Sequence, residues 1–348
     1  MLHTAWRREG NLLYSSQLSP EENMKKLAIL AATAAATIFA LGAQAAETLK
    51  FAHVYEVGTP YHEAALKAAE ELEKRTEGRY TMEVFPASSL GKEDALNEGL
   101  SLGTVDVIYT GAGFASAVYG PLAISDFPFT LRGYAHWKAY GQSDLFKELS
   151  EGYQNASGNS IVALTYYGAR HVTANKAIKT PDDMKGLKIR VPNAPAYMLF
   201  PQATGANPTP MAFSEVYLAL QQGVVDAQEN PLPTIKFKKF YEVQSDISLT
   251  GHVVNSLVTV ISGMRMASLA EEDLATLTEV LQESAAWASQ EILSQEESLA
   301  DWFRSEGLNV HEVDRKPFQE MVEPFLVSED MPWEPSIYER LQAIPDAE

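Results

Sequence analysis

An arginine in an alternating segment is the first residue of this sequence that could bind a ligand. The segment GLKIRVPNA, residues 186–194, places apolar side chains at positions 187, 189 and 191 and basic ones at Lys188 and Arg190. This alternation predicts a strand with one buried face. Arg190 stands at the carboxyl end of that strand, before Pro192, where open α/β sheets place their ligand contacts. We therefore treat Arg190 as a candidate ligand contact, with a solvated outer face as the simpler alternative.

The motifs of known catalytic and cofactor sites are missing from the sequence. It holds no nucleophile elbow, no phosphate-binding glycine loop and no HExxH pair, and TGAGF at 110–114 is too short for a dinucleotide fingerprint. His53 and His62 could share a metal, but no carboxylate-rich spacing accompanies them, which favours structural histidines. Glu271 and Glu272 fit the solvated face of a helix. We expect no metal, no cofactor and no enzymatic activity.

Strand and helix patterns alternate along the chain in two runs and would position a ligand contact of this kind. The first run comprises strands in 47–55, 80–86 and 105–111 and helices in 61–78 and 92–103; the second comprises strands in 159–168, 187–192, 224–231 and 257–262. This order predicts right-handed βαβ units and a largely parallel sheet. The predicted fold class is α/β, with two domains.

One helix is predicted to be much longer than the others. Ser268 and Glu271 have the spacing of a capping box, and apolar residues then keep helical spacing from Leu274 to Trp302, before a stop at Gly307. A helix of this length exceeds the width of either sheet. We expect it to span both domains, with a kinked surface helix as the alternative.

The first 45 residues are predicted not to belong to the folded protein. Residues 24–45 combine a basic start, an apolar run and the small-residue site AQA, which is typical of a secretory signal peptide. Residues 1–23 show no persistent periodicity, and we interpret them as a misannotated leader before a true start at Met24. The chain has no cysteine, so neither disulfides nor a lipid anchor are expected. These features predict a periplasmic protein.

Charge and hydropathy argue against two classes of function. The formal net charge of the chain is −19, and a surface of that sign repels nucleic acid. Outside the signal segment, no apolar run is long enough to cross a bilayer. We expect no nucleic-acid partner and a soluble protein that is not inserted in the membrane.

Several segments along the chain resemble one family of binding proteins. LKIRVPNA, GANPTPMAFSEVYLALQQGVVDAQENPL and KFYEVQ, together with FPASSLGKEDAL and GARHVTANKAIKTPDDMKGL, resemble the periplasmic solute-binding subunits of TRAP transporters, in the branch of sialic-acid and sugar-acid binders. The resemblance implies a two-domain periplasmic binding protein whose domains close on an organic acid about a hinge. The closed form would deliver the acid to a small and a large TRAP membrane subunit.

The same resemblance implies discontinuous domains, because strands of this family cross from one domain to the other. We expect domain I to comprise residues 46–167 and 256–296, and domain II to comprise residues 168–255 and 297–348. The ligand cleft would lie between the domains, and the long helix would lie against both.

The resemblance also assigns ligand-binding roles to four residues. It implies that Arg190 forms a bidentate salt bridge with a ligand carboxylate, and a planar guanidinium suits two carboxylate oxygens. Arg170 of GAR would be a second cation, Asn230 of QENPL would complete the hydrogen bonds, and Phe213 of MAFSEVY would form an aromatic floor. The simpler alternatives are a surface charge for Arg170, a turn residue for Asn230 and a core side chain for Phe213.

Departures from the sialic-acid pattern predict a smaller ligand. Where sialic-acid binders carry a glutamate after the VDVIYT strand, this chain has Gly111, and where they carry an aspartate after SSLG, it has Glu93. Near the first strand, their asparagine gives way to AHVYE, which contains His53 and Glu56. We expect a hexuronate such as glucuronate or galacturonate, with Glu93, His53 and Glu56 as candidate hydroxyl partners.

Other functions stay open on the sequence alone. The same fold could bind sialic acid or a C4-dicarboxylate, and a dicarboxylate would need a second cation across the cleft, which only Arg170 or a protonated His53 offers. A periplasmic sugar-acid lyase or isomerase would need a base near the ligand, and Tyr166, Tyr167 or His53 could be nominated.

Overall fold

A computed structural model describes residues 46–347 of the chain, together with the isolated positions 21 and 24. Apart from those two positions, the predicted leader at 1–23 and the predicted signal peptide at 24–45 lie outside the described residues. From Glu47 onward the chain forms one compact unit. Within the described part, no helix is both long enough and apolar enough to cross a membrane.

Strands and α-helices alternate through most of residues 46–347. The strands are β1 (Glu47–Ala52), β2 (Tyr80–Phe85), β3 (Val107–Gly111), β4 (Ser160–Ala174), β5 (Lys188–Val191), β6 (Asn207–Pro210), β7 (Ala227–Pro231), β8 (Asp246–Ile261) and β9 (Asn309–Glu312). The helices are α1 (Pro60–Arg75), α2 (Glu93–Leu102), α3 (Ala112–Ala115), α4 (Tyr134–Gly141), α5 (Asp144–Ser157), α6 (Leu199–Ala203), α7 (Val216–Gln221), α8 (Leu232–Phe237), α9 (Gly263–Ser268), α10 (Glu271–Ser305), α11 (Lys316–Leu326) and α12 (Pro335–Ala343).

The strands form one sheet in the order β2-β1-β3-β8-β4-β7-β5-β6, with β9 paired to β8. Pairing is parallel among β2, β1 and β3, parallel among β7, β5 and β6, and parallel between β8 and β9. At the centre of the sheet, β3-β8, β8-β4 and β4-β7 are antiparallel. The expectation of a largely parallel sheet is therefore correct for its two ends and wrong for its centre.

The two central strands are longer than the sequence pattern predicts. β4 has 15 residues and β8 has 16, whereas the predicted segments were 159–168 and 257–262. The added parts contain buried polar residues such as Arg170, Ser248 and Asn255, which do not match the apolar pattern of a central strand. The register of β4 against β8 shifts at three places, one of them between Tyr166 and Gly168, just before the polar part of β4. Such irregularities locally disrupt the ladder and bend a strand.

These two strands connect two lobes, which accounts for the two predicted runs. We call the part around β1, β2 and β3 the first lobe and the part around β5, β6 and β7 the second lobe. The main hydrophobic core includes Phe51 and Tyr109 of the first lobe and Val258 of β8, and it extends to Ile189 of β5 in the second lobe. A separate core in the second lobe includes Phe240 and Phe303.

The helix α10 is continuous over 35 residues and packs on both lobes. It contacts β4 and α1 on one side and α8 and β9 on the other, so the prediction that it spans both is confirmed. The predicted capping box is wrong: Ala270 is the N-cap, and the Ser268 hydroxyl donates to the carbonyl of Arg265 at 2.8 Å. Ser268 instead ends the preceding helix α9.

Candidate functional site

A cavity of about 260 Å³ lies between the two lobes, where β3, β5 and β7 end. Carboxyl ends of parallel strands are where α/β folds bind ligands. Side chains of both lobes and of the central strands line it, among them Tyr55, Lys92, Glu93, Phe114, Tyr167, Arg170, Arg190, Asn193, Tyr197, Phe213, Asn230 and Asn255. Five of the seven predicted ligand-binding residues are thus brought together.

Arg190 supplies a buried, unpaired donor to this cavity. Its 2 % exposure rules out the solvated outer face that the sequence left open. Nε and Nη2 donate to the backbone carbonyl of Met211 at 3.0 and 2.6 Å, whereas Nη1 is buried and has no hydrogen-bond partner among the described residues. Burial lowers the pKa of Arg190 to about 10, so the group stays charged near neutral pH. A buried cationic donor without a partner is costly, which indicates an anion site.

Arg170 also lines the cavity, but its charge is already paired. Its exposure is 2 %, so the surface-charge alternative is wrong. Nε and Nη2 donate to the Glu229 carboxylate, and Nη1 donates to Asn255 Oδ1 at 2.7 Å. On the other side, His252 Nε2 lies 3.2 Å from Glu229 Oε2.

The pKa shifts of this buried pair agree with its geometry. Burial acts against ionisation of both groups, but the attraction of Glu229 raises the pKa of Arg170 above its usual value. The attraction of Arg170 and His252 likewise holds the pKa of Glu229 below its usual value. The pair is ionised and largely compensated, so Arg170 offers a ligand less net charge than Arg190 does.

Asn230 and Phe213 also border the cavity. Asn230 lies inside β7 and not in a turn; its Nδ2 donates to Gln228 Oε1 at 2.6 Å. An amide nitrogen has two hydrogens, so one remains for a ligand. Phe213 is half-buried, with its ring centroid 6.2 Å from that of Tyr55, and it also packs on both hydrophobic cores. Phe213 is therefore both a core side chain and part of the cavity wall.

Glu93 enters the cavity from the first turn of α2. Its Oε1 accepts hydrogen bonds from the Gly111 backbone N–H at 2.7 Å and from the Thr110 hydroxyl at 3.0 Å. Burial raises the pKa of Glu93 to about 7. Near neutral pH this carboxyl group can therefore donate or accept a hydrogen bond, which suits a ligand hydroxyl.

The structure does not place His53 and Glu56 on the cavity. His53 is fully buried behind Tyr55, with Nδ1 accepting from the Tyr55 backbone N–H at 3.2 Å and Nε2 3.3 Å from His62 Nδ1. Burial and the neighbouring His62 lower the pKa of His53 to about 3, so it is a neutral core side chain. Glu56 instead forms an ion pair with Lys238 of the second lobe at 2.5 Å.

Tyr197 and Asn255 are among the cavity residues that were not predicted from the sequence. Tyr197 lies in a short 3-10 turn, Pro195–Met198, between two prolines of the second lobe. Asn255 lies within the long strand β8, beyond the segment predicted as a strand. A polar residue inside an otherwise apolar strand, as Asn255 is in VVNSLVTV, is the signal that could have identified the second of them.

The residues nominated for catalysis have other roles in the structure. Tyr167 lines the cavity, but burial raises its pKa to about 12, far from the value that a general base needs near neutral pH. Tyr166 donates to Glu296 Oε2 at 2.8 Å and does not line the cavity. Among residues 46–347, no group of three or more His, Cys, Asp or Glu side chains is placed to hold a metal ion.

The sequence matches one family of known proteins over most of its length. The model of the family described as bacterial extracellular solute-binding protein, family 7, matches residues 51–329. The chain is 34 % identical over 302 residues to the sialic acid-binding periplasmic protein SiaP of Vibrio cholerae. This match covers 87 % of this chain and 92 % of that protein. It is 32 % identical to the 2,3-diketo-L-gulonate-binding periplasmic protein YiaO of Escherichia coli, over 81 % of this chain and 86 % of that protein.

Solved structures give the same grouping. A TRAP periplasmic solute-binding protein of Roseobacter denitrificans with bound L-galactonate superposes with a TM-score of 0.81 at 32 % identity, over 86 % of this chain and all of that chain. Other TRAP binding proteins with TM-scores of 0.80 to 0.82 hold succinate, D-erythronate, β-D-galacturonate or β-D-glucuronate. The α/β fold with two domains, predicted from the sequence, is confirmed by these matches.

Proposed function

The chain belongs to the bacterial extracellular solute-binding proteins of family 7, and from this premise we propose that it captures a hexuronate in the periplasm. It is a transport binding protein and not an enzyme, as the resemblance to TRAP transporter subunits predicted. The partners in this proposal are a small and a large TRAP membrane subunit, to which the loaded protein delivers a sugar acid such as glucuronate or galacturonate.

The observation that carries the proposal is the unpaired Nη1 of Arg190 inside the cavity. Met211 occupies one edge of the guanidinium through Nε and Nη2. The other edge, formed by Nη1 and the second hydrogen of Nη2, is left for a ligand. Two parallel N–H donors match the two oxygens of a carboxylate. A ligand carboxylate would therefore offset the cost of burying this charge.

The remaining polar groups of the cavity suit hydroxyls better than a second carboxylate. Burial raises the pKa of Glu93 to about 7, so both of its protonation states are accessible near neutral pH, and Asn230 keeps one amide hydrogen. Of the cations that line the cavity, Arg170 is paired with Glu229, and Lys92 is paired with Glu215 at 2.6 Å at the exposed edge of the cleft. His53, the other candidate for a dicarboxylate, is neutral and lies outside the lining. One carboxylate and several hydroxyls describe a sugar acid.

A ligand screen tests the proposal. Thermal unfolding is followed with glucuronate, galacturonate, L-galactonate, sialic acid and succinate, because a ligand that binds only the folded form raises the melting temperature. Hexuronates should give the largest shift. Arg190→Ala is the matched control and should sharply reduce the shift while still unfolding cooperatively. A largest shift with succinate would support the dicarboxylate reading, and a largest shift with sialic acid the other alternative; either would overturn the hexuronate proposal.

Incubating the ligand with the protein tests the enzyme alternative directly. Galacturonate incubated with the protein and followed by proton NMR should keep its spectrum. A new product would show that Tyr167 or a neighbouring group acts on the ligand.

A further inference from the structure

Tyr197 crosses from the second lobe into the first and closes one end of the cavity. Its hydroxyl donates to Asp126 Oδ2 at 2.8 Å, and Asn255 Nδ2 donates to Asp126 Oδ1 at 2.6 Å. Asp126 ends a 3-10 turn, Gly120–Asp126, that packs on α3 in the first lobe. The Tyr197 side chain is 5 % exposed and yet lines the cavity. It therefore forms a buried part of the cavity wall, with Asp126 on its far side.

Two glycines of the first lobe make room for this tyrosine. A Cβ atom at Gly111 would lie 3.2 Å from the Tyr197 hydroxyl oxygen, and one at Gly113 would lie 3.1 Å from its Cε2. Neither glycine has a positive φ, so no backbone conformation requires a glycine at these two positions. The close approach of Tyr197 explains the absence of a side chain there. Gly111 stands where the sialic-acid binders carry a glutamate. In the structure the Tyr197 hydroxyl occupies the space beside Gly111.

The ring of Tyr197 is held on its other side by Arg170. The Arg170 guanidinium carbon lies 4.9 Å from the ring centroid, a distance at which cation and ring attract each other. Ring and hydroxyl are thus both fixed, and Tyr197 packs with Val191 and Ala194 of its own lobe. A wall built in this way cannot move aside for a larger ligand without breaking several contacts.

We propose that Tyr197 is a specificity-determining residue that limits the length of the acid held by Arg190. This inference rests on the proposed function, since it takes Arg190 as the carboxylate anchor. Removing the ring would extend the cavity toward Asp126, whose carboxylate oxygens could then accept hydrogen bonds from additional ligand hydroxyls. The longer, nine-carbon acids that share the carboxylate anchor would gain from this space, and six-carbon acids would not.

Calorimetric titration of four proteins with two acids tests the inference. The parent, Tyr197→Ala, Tyr197→Leu and Tyr197→Phe are each titrated with galacturonate and with N-acetylneuraminate. The ratio to follow is the dissociation constant for N-acetylneuraminate divided by that for galacturonate. In the Ala and Leu variants this ratio should fall at least tenfold. Tyr197→Phe is the matched control: it keeps the ring and loses only the hydroxyl, which donates to Asp126 and accepts from Asn255 Nδ2 at 3.2 Å. Both affinities should therefore weaken by a similar factor, and the ratio should stay within threefold.

The outcomes separate this inference from the proposed function. If this ratio of dissociation constants is the same in the parent and in the variants, Tyr197 does not set ligand length. The inference is then overturned, while the proposed function stands. If the parent binds neither acid, both fail. Tyr197→Leu retains a buried apolar side chain, so it keeps the test decisive should Tyr197→Ala fail to unfold cooperatively.

Discussion

Arg190 donates two hydrogen bonds to the backbone carbonyl of Met211, from Nε at 3.0 Å and from Nη2 at 2.6 Å. The carbonyl belongs to the segment that follows β6, the strand paired with the strand of Arg190. This contact fixes the guanidinium plane before any ligand arrives. A preorganised fork loses less entropy on binding a carboxylate than a free side chain would.

The geometry of Arg190 predicts the order of two substitutions. Arg190→Ala removes one partner of a buried charged pair and should cost on the order of 2 to 5 kcal/mol of binding free energy, a loss of roughly thirtyfold to several thousandfold. Arg190→Lys keeps the charge but loses the two parallel N–H donors of the guanidinium. It should therefore recover only part of the affinity that Arg190→Ala loses. Titration of both variants with the best ligand measures the order. A lysine variant weaker than the alanine variant would contradict the role of the charge.

Arg170 is predicted to matter for stability as well as for binding. Arg170→Ala leaves the buried Glu229 carboxylate without its cation, which should lower the free energy of unfolding by about 3 to 5 kcal/mol. The double variant Arg170→Ala/Glu229→Gln removes the orphaned charge and should recover part of that loss. Urea denaturation of the three proteins measures both effects. Arg170→Ala with the stability of the parent would show that the pair is not structurally important.

The ion pair between Glu56 and Lys238 joins the lobes and should slow ligand release. The Lys238 side chain is 13 % exposed, and its Nζ lies 5.0 Å from the Phe213 ring centroid. Glu56→Gln should raise the dissociation rate by roughly threefold to tenfold, since partly buried pairs exceed the 0.2 to 1 kcal/mol of exposed ones.

A second ion pair between the lobes provides the control for that experiment. Lys92 and Glu215 are both about half exposed, so Glu215→Gln should change the dissociation rate by less than about twofold. Stopped-flow displacement of the bound ligand at low and high salt compares the two variants. Equal effects of the two substitutions would contradict the distinction drawn between the pairs.

Glu296 should make stability depend on pH. Its carboxylate accepts hydrogen bonds from Tyr166 and from the Ala169 backbone N–H, and burial raises its pKa from 4.5 to about 7. Between these values the folded state retains a proton that the unfolded state has lost, so this group's contribution to stability falls as pH rises from 4.5 through 7. After allowance for partial exposure, the decrease is about 1 to 2 kcal/mol.

The Glu296→Gln variant isolates this contribution. Urea denaturation of parent and variant between pH 4.5 and 8 should give a difference in unfolding free energy that shifts in favour of the variant as pH rises, and then levels above pH 7. A difference that is constant with pH would show that Glu296 has an ordinary pKa.

The sequence predicted the short parallel strands and Arg190 because both depend on local patterns. Alternation marked β5, and Pro192 marked its end, which together placed Arg190 at the ligand edge of the sheet. The antiparallel centre was missed because the polar parts of β4 and β8 interrupt the apolar pattern. Those polar residues are buried by contacts with residues distant in sequence, Glu229 for Arg170 and Asp126 for Asn255, which a local pattern does not contain.

The candidate site, like the fold, was predicted from the sequence only in part. Asn230 was identified by direct resemblance and lines the cavity. Glu93, His53 and Glu56 were all proposed from departures from the sialic-acid pattern, and of these three only Glu93 lines the cavity. The direction of a side chain in an irregular loop depends on partners outside that loop. Here the partner is His62 for His53 and Lys238 for Glu56. Tyr197 was missed because it reaches the cavity from a proline-flanked turn, where neither periodicity nor spacing indicates direction.

The most direct test of the central claim compares a uronate with the neutral sugar that lacks its carboxylate. Calorimetric titration of the parent protein with galacturonate and with galactose should give tight binding of the first and none detectable of the second, because a neutral sugar leaves the buried Arg190 charge unpaired. In Arg190→Ala the difference between the two sugars should largely disappear. Galactose bound by the parent as tightly as galacturonate would contradict the carboxylate anchor at Arg190.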